Sequence, residues 1–377
     1  MHRTILLLAV TLLARVALAA QSGAFIVRLG QDTLAVERYT RSPELLQGEQ
    51  VLRSPVTVHR IYRAVLAPDG TVKSFELITH NIGGGPGPAE TRGTIEFRGD
   101  SAIVQAPRRD SVVTTRMATG PGAVPYVGQT YGLVELMAVR ARAAGADSVA
   151  LQGVQIGPQQ PTAITVRRVG RDSATIQLGP IGPLAYRLDD AGRLAWLSGR
   201  GSTMQVDVER VASVDLAALG AAFAGRPLGT LSPADSVKAT IAGAALAVRY
   251  ARPSARGRTV FGGVVPWNQV WRTGANAATI FETSGDLLVG GTPIPAGKYS
   301  LWTVPAREGW TLIVNKNTGQ WGTAYDAQYD LARLPMKVDR LEQPVEQFTI
   351  AIEPQGAGGV LKLEWATTRA SVAIARK

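Results

Sequence analysis

Between Tyr250 and Asn276 the chain reads YARPSARGRTVFGGVVPWNQVWRTGAN, placing Arg252, Arg256, Arg258 and Arg272 with Trp267 and Trp271 among glycines and prolines. Arginine offers a planar fork of donors that fits carboxylate or phosphate and also stacks on aromatic faces. Tryptophan adds a broad apolar face with a single donor, suited to a sugar ring. Glycine and proline let backbone approach closely and fix a loop in one shape. A second segment, NKNTGQWGTAYD, brings Asn315, Trp321, Tyr325 and Asp326. The chemistry these types can do together is to hold a small polar or anionic ligand, or a glycan, at a mouth made of Arg252, Ser254, Arg258, Trp271, Arg272, Asn276, Trp321, Tyr325 and Asp326. The same residues admit a scaffold reading, with the arginines paired to Glu282, Asp286 or Asp326 and the tryptophans plugging a core.

Other chemistry is limited by what the chain lacks. There is no cysteine, and the three histidines are His2, His59 and His80. No HExxH, Cys-x-x-Cys or G-x-S-x-G occurs, so neither a zinc centre, a cysteine nucleophile nor a serine triad is expected, and no cofactor is. The triple glycine in THNIGGGPGPAETRG, Thr79 to Gly93, lacks the lysine of a phosphate loop and reads as a connector. Carboxylates remain: Glu282, Asp286, Asp326 and Asp330 give an alternative in which two acids face each other and hydrolyse a glycosidic bond, with Asp326 or Glu282 nearest the arginine run.

The elements that must position these groups are mostly strands. From Ala24 to about Val214 apolar and polar residues alternate around turns at Gly30-Gln31, Pro68-Asp69-Gly70, Gly99-Asp100, Gly170 to Ser173 and Asp189 to Gly192. Glycine and aspartate supply the positive φ and the side-chain-to-backbone bonds of tight hairpins, and about eight to ten strands follow from this spacing. YVGQTYGLVELMAVRARAAG, Tyr126 to Gly145, departs from that pattern: Leu133, Leu136, Met137 and Val139 recur with helical spacing, and arginines and a glycine close the segment. One helix against a curled antiparallel sheet predicts a half-barrel, a shape that also suits a lipid-carrying or structural envelope protein. A short helix capped near Asp215 and a Pro/Gly linker follow, giving a leader at 1–20, an antiparallel β region at 21–214, a connector at 215–233 and a second region at 234–377. The second region holds Trp267, Trp271, Trp302, Trp310, Trp321 and Trp365 of the chain's seven tryptophans, and its short strands predict a β-sandwich of jelly-roll type.

The start, MHRTILLLAVTLLARVALAAQSG, reads as a cleaved export leader: Arg3, an apolar run broken by Arg15, and small residues at Ala17 and Ala19. An exported protein, periplasmic or secreted and without a transmembrane segment once the leader is removed, is expected. The formal charge of +11 favours anionic partners, but the basic residues are scattered singly and no nucleic-acid fold signature accompanies them, so nucleic acid is not expected.

ARPSARGRTVFGGVVPWNQVWRTGANAATIF, IPAGKYSLWTVP, WTLIVNKNTGQWGTAYD and LKLEWATTRASVAI, in that order, resemble the bacterial domain of unknown function 2911 family over about Leu231 to Lys377. Arg252, Pro253, Ser254, Gly257, Arg258, Gly262, Gly263, Pro266, Trp271, Arg272, Gly274, Asn276, Trp321 and Gly322 fall on its signature positions. The resemblance implies a β-rich exported domain and assigns no activity.

Overall fold

The computed structural model describes residues 20–84, 87–109 and 111–377. The expected leader cleavage site at Ala17-Leu18-Ala19 lies outside the described residues.

Each glycine- or aspartate-bearing turn joins two antiparallel strands. They are β1 (Gln21–Leu29), β2 (Asp32–Arg41), β3 (Leu45–Leu52), β4 (Val58–Leu66), β5 (Val72–Asn81), β6 (Glu90–Arg98), β7 (Ser101–Arg108) and β8 (Ser111–Ala118). After the two-residue β9 (Val124–Pro125) and α1 (Tyr131–Ala143) come β10 (Ser148–Val154), β11 (Thr162–Arg168), β12 (Ser173–Leu178), β13 (Pro183–Leu188), β14 (Leu194–Ser198) and β15 (Asp207–Val211). The Asp69 carboxylate accepts the Thr71 N–H at 2.9 Å and the Asp189 carboxylate that of Arg193 at 2.8 Å, closing their turns as the sequence predicts. The connector expected over Thr79 to Gly93 is shorter than it reads, because β5 and β6 extend into it from both sides.

All fifteen strands form one sheet in the order β8-β7-β6-β5-β4-β3-β2-β1-β15-β14-β13-β12-β11-β10-β9. The count exceeds the expected eight to ten, in part because β9, β14 and β15 are too short to show an alternation of their own. Each neighbour is antiparallel except β9 and β10, which run parallel. The sheet therefore consists of two meanders that meet where β1 pairs with β15, Ala24 opposite Val211.

α1 lies in the concavity, and Tyr131, Leu133, Leu136 and Met137 are buried in the same core as Phe25, Tyr62 and Phe75. Its N-terminus has no cap of its own. Instead the buried Glu37 carboxylate, reaching in from β2, accepts the N–H groups of Tyr131 at 2.6 Å and Gly132 at 2.9 Å and the Tyr62 hydroxyl at 2.7 Å. These satisfy orphan donors of the first turn. A second buried carboxylate, Glu135 on α1, accepts from the Tyr39 hydroxyl at 2.5 Å and the Leu194 N–H at 2.6 Å and pairs with Arg210, whose guanidinium lies over the Phe25 ring. A helix and a buried polar network thus occupy the concavity of the half-barrel.

Burial pushes the Glu37 carboxyl up to about 7 against the pull of its three hydrogen bonds, and Glu135 nearby pushes the same way. The folded state thus holds this proton more tightly than the unfolded chain. The resulting stabilisation is complete below the ordinary carboxylate range and is lost as pH rises through about 7. Unfolding free energy is expected to be greater at pH 5.5 than at pH 8 by about 2 kcal/mol, since one pKa unit is worth about 1.4 kcal/mol. Urea titrations at the two pH values measure it, and Glu37→Gln removes the difference.

α2 (Leu216–Ala224) is capped by Asp215, whose carboxylate accepts the Ala218 N–H at 2.9 Å, as the sequence indicates. It leads to β16 (Ala234–Ile241), β17 (Ala244–Ala251), β18 (Thr279–Thr283), β19 (Leu287–Val289), β20 (Thr292–Ile294), β21 (Gly297–Pro305), β22 (Trp310–Asn315), β23 (Asp330–Gln355) and β24 (Gly358–Arg376). These form a second sheet, in the order β16-β17-β18-β21-β22-β23-β24-β19-β20. The register of the long β23–β24 hairpin breaks between Arg340 and Val345 and again before Thr349. Those breaks let one continuous sheet fold over itself around a shared core, where the sequence alone predicts two jelly-roll layers. Both sheets are open, and the chain is mainly β as expected. Among the described residues no helix is long and apolar enough to cross a membrane.

Candidate functional site: an arginine-lined cleft

The loop from Arg252 to Ala278, between β17 and β18, builds the site. It cannot form a strand because Arg256, Asn268, Thr273 and Asn276 all adopt positive φ (51°, 59°, 53° and 61°), as does Gly257 at 70°. Such backbone is costly for residues with a Cβ and persists only where surrounding contacts over-determine it. Those contacts are present. The Phe348 N–H donates to Pro253 O at 2.9 Å and the Ala255 N–H to Glu346 O at 2.8 Å, while Trp271 and Thr303 exchange backbone bonds of 2.7 and 2.8 Å.

The first sheet holds the other side of the loop. The Gln31 N–H donates to Arg256 O at 3.0 Å, and the Arg256 guanidinium pairs with Asp32 at 2.5 Å. The β1–β2 turn admits this approach through Gly30 (φ 64°), where a Cβ would overlap the Arg256 carbonyl. Thr323, from the loop after β22, donates to Pro180 O at 2.9 Å. Between these contacts lies a cleft of about 680 Å³ bounded by Ser202 to Gln205 of the first sheet region and by the arginine loop of the second.

Arg200, Arg256, Arg258 and Arg272 line this cleft, and among the described residues no aspartate, glutamate or histidine does. Arg200 is neutralised by a two-pronged contact to Asp207 at 3.1 and 2.9 Å, and Arg256 by Asp32. Arg258 donates to the carbonyls of Ala255 at 3.0 Å and Ser254 at 2.7 Å; its Nη1 is buried without a partner, and burial lowers its pKa. The Arg272 side chain makes no hydrogen bond or ion pair with any described residue. Its Nε is buried unpartnered, and burial alone pushes its pKa down to about 10, so the group stays charged at neutral pH. Gly322 lies flat against the Arg272 stem, where any Cβ would overlap it.

Of the residues the sequence nominates, the structure gathers Ser254, Arg258, Trp271, Arg272, Asn276 and Tyr325 on the cleft. Trp271 is only 7% exposed: it stacks on Trp365 at 5.9 Å and meets Phe348 edge-on at 5.0 Å, so it floors the cleft as core and offers no free face to a sugar. Tyr325 shows its ring side to the cleft while its hydroxyl donates to Asp330 at 2.7 Å. Three nominated residues lie off the cleft. Arg252 pairs with Asp235 at 3.2 Å and donates to Phe348 O at 3.0 Å and Thr349 Oγ1 at 2.8 Å, which makes it a pin between loop and β23. Asp326 caps the turn Ala327–Tyr329 by accepting the Gln328 N–H at 3.0 Å. Trp321 is half-buried and bridges Ala277, with its indole N–H unpartnered.

The acids proposed for hydrolysis are likewise elsewhere. Glu282 pairs with Arg249 at 2.7 Å and Lys298 at 3.5 Å on β18, and Asp286 accepts the Ala296 N–H at 2.9 Å. Two readings of the run thus separate: the tryptophan is core, whereas Arg272 has none of the acidic partners the scaffold reading requires. His59 and His80 are cross-strand neighbours on β4 and β5, facing Glu49 and Glu90 at 3.4 and 3.3 Å, and no described cluster of three such residues is arranged for a metal. Sequence reasoning missed Arg256 as a tether and the whole contribution of the first sheet, for which a single chain shows no local signal.

Fold and cleft define a mainly β protein with a cationic pocket, free of carboxylates among the described residues, where two open sheets meet. Residues 232–374, which carry the arginine loop, match the family described as "Protein of unknown function (DUF2911)". No curated protein matches the chain. A solved DUF1089 family protein from Pseudomonas aeruginosa is similar at 11% identity and a TM-score of 0.34, over 44% of this chain and 89% of that chain. A beta-barrel-like DUF1849 protein from Brucella abortus is similar at 12% identity and a TM-score of 0.34, over 50% and 95%. At those scores neither bears on the site.

Proposed function

We propose that the chain is an exported binding protein that holds a small anionic ligand in the cleft, with Arg272 and Arg258 as the charged contacts and Ser254, Asn276 and Tyr325 at its walls. The observation that carries this reading is Arg272, a half-buried cation whose Nε is buried unpartnered and which meets no carboxylate among the described residues. Burying a charge unpaired is expensive, and a ligand anion offsets that cost. The cleft volume of about 680 Å³ suits a small molecule. Export rests on the leader read from the first twenty residues.

Arg272→Met tests the reading. It keeps the packing of the stem and removes the charge, so the melting temperature should hold or rise, because replacing a buried ion by an apolar group of similar volume is commonly neutral or stabilising. Calorimetric titration with sulfate should show binding weakened by about tenfold or more, the equivalent of about 1.4 kcal/mol. A variant that unfolds readily, or one that binds sulfate as the parent does, returns Arg272 to the scaffold.

A further inference from the structure

The charge balance of the cleft specifies more than the sign of its ligand. Of the four lining arginines, Arg200 and Arg256 are neutralised by Asp207 and Asp32, while Arg258 and Arg272 have no carboxylate in contact. Glu346 is the remaining acid beside the lining arginines. It accepts the Arg256 backbone N–H at 2.8 Å and forms no ion pair with Arg258. The cleft thus presents two uncompensated guanidinium groups, both partly withdrawn from water, where screening is weak.

We infer that the ligand is a small oxyanion of charge −2, its two charges matching Arg258 and Arg272. This rests on the anion reading above and narrows it. A monoanion leaves one half-buried guanidinium uncompensated, and a larger polyanion would find Arg200 and Arg256 already occupied. The Arg258 stem packs on the first sheet: a Cβ at Gly30 would press on it as well as on the Arg256 carbonyl. A dianion therefore bridges a residue packed on the β1–β2 turn and one packed on Gly322.

Among the described residues the lining holds no histidine, aspartate or glutamate. The ligand's own ionisation becomes the readout. The full chain is titrated by calorimetry, at constant ionic strength, with sulfate, methyl phosphate, succinate and acetate. Sulfate should bind with the same Kd at pH 5 and pH 8, and methyl phosphate should tighten about tenfold over that range, because a phosphomonoester takes its second charge near pH 6. Acetate should bind at least about tenfold more weakly than sulfate, and Arg258→Met should abolish that preference. Tighter binding of methyl phosphate or of succinate at pH 8 assigns a compact or an extended dianion respectively, and either supports the inference. Acetate binding as tightly as sulfate overturns it while leaving the anion site standing. Absence of binding by all four probes to a folded chain overturns the anion site itself. The pH arm uses the unaltered chain, so the test survives a variant that fails to fold.

Discussion

Trp271→Ala should destabilise the protein by about 3 to 5 kcal/mol, the range for truncating a buried tryptophan. The ring is packed against Trp365, Phe348, Phe261 and Trp310, and its truncation opens a void at the point where the β23–β24 hairpin folds the second sheet over. The surrounding rings are held in edge-on contacts and cannot collapse into that space without giving them up. Urea unfolding gives the value directly. A loss under about 1 kcal/mol would place the ring among surface groups and restore the sugar platform that residues 267 and 271 suggest. The neighbouring Arg272→Met should behave in the opposite way, with the fold kept and the ligand lost, so adjacent positions separate scaffold from site.

Arg210→Met should cost about as much, about 3 to 5 kcal/mol at pH 7, by removing one partner of a buried ion pair. Glu135 is 1% exposed and would be left with the Tyr39 hydroxyl and the Leu194 N–H as its donors. The double variant Arg210→Met with Glu135→Met should recover most of the loss, because no charge then remains buried. A double variant as unstable as the single one would show that the network acts through its hydrogen bonds to β14 and not through its charge. Circular dichroism melts of the three proteins decide between these outcomes.

The hairpin turns were legible because their chemistry is local. Gly30, Asp69, Gly99 and Asp189 each sit at a bend whose partner strands lie within a dozen residues. α1 was legible from the spacing of Leu133, Leu136 and Met137, and α2 from the Asp215 cap. The arginine loop announced itself by composition, but which arginine does what did not. Arg252 and Arg258 stand in the same kind of surroundings in sequence, and only Asp235 and Phe348 in space make the first a pin. Arg256 meets Asp32, and Glu37 meets the start of α1, across separations that no periodicity spans. The Glu135–Arg210 pair was hidden for a further reason: a glutamate on a helix beginning with an apolar face reads as a surface residue until its partner arrives from β15.

The seam between β1 and β15 carries a consequence for the order in which the chain can fold. Hairpins such as β1–β2 and β6–β7 close over a few residues and can form early, whereas Ala24 and Val211 must find each other across nearly the whole first region. The closure entropy of such a loop is spent before its contacts repay it, and topologies rich in distant pairings fold slowly. The seam is thus a late event. Arg256 reaches Asp32 across 224 residues, a separation longer still, so ligand-binding competence should emerge late in refolding, after tryptophan fluorescence has already reported an assembled second sheet.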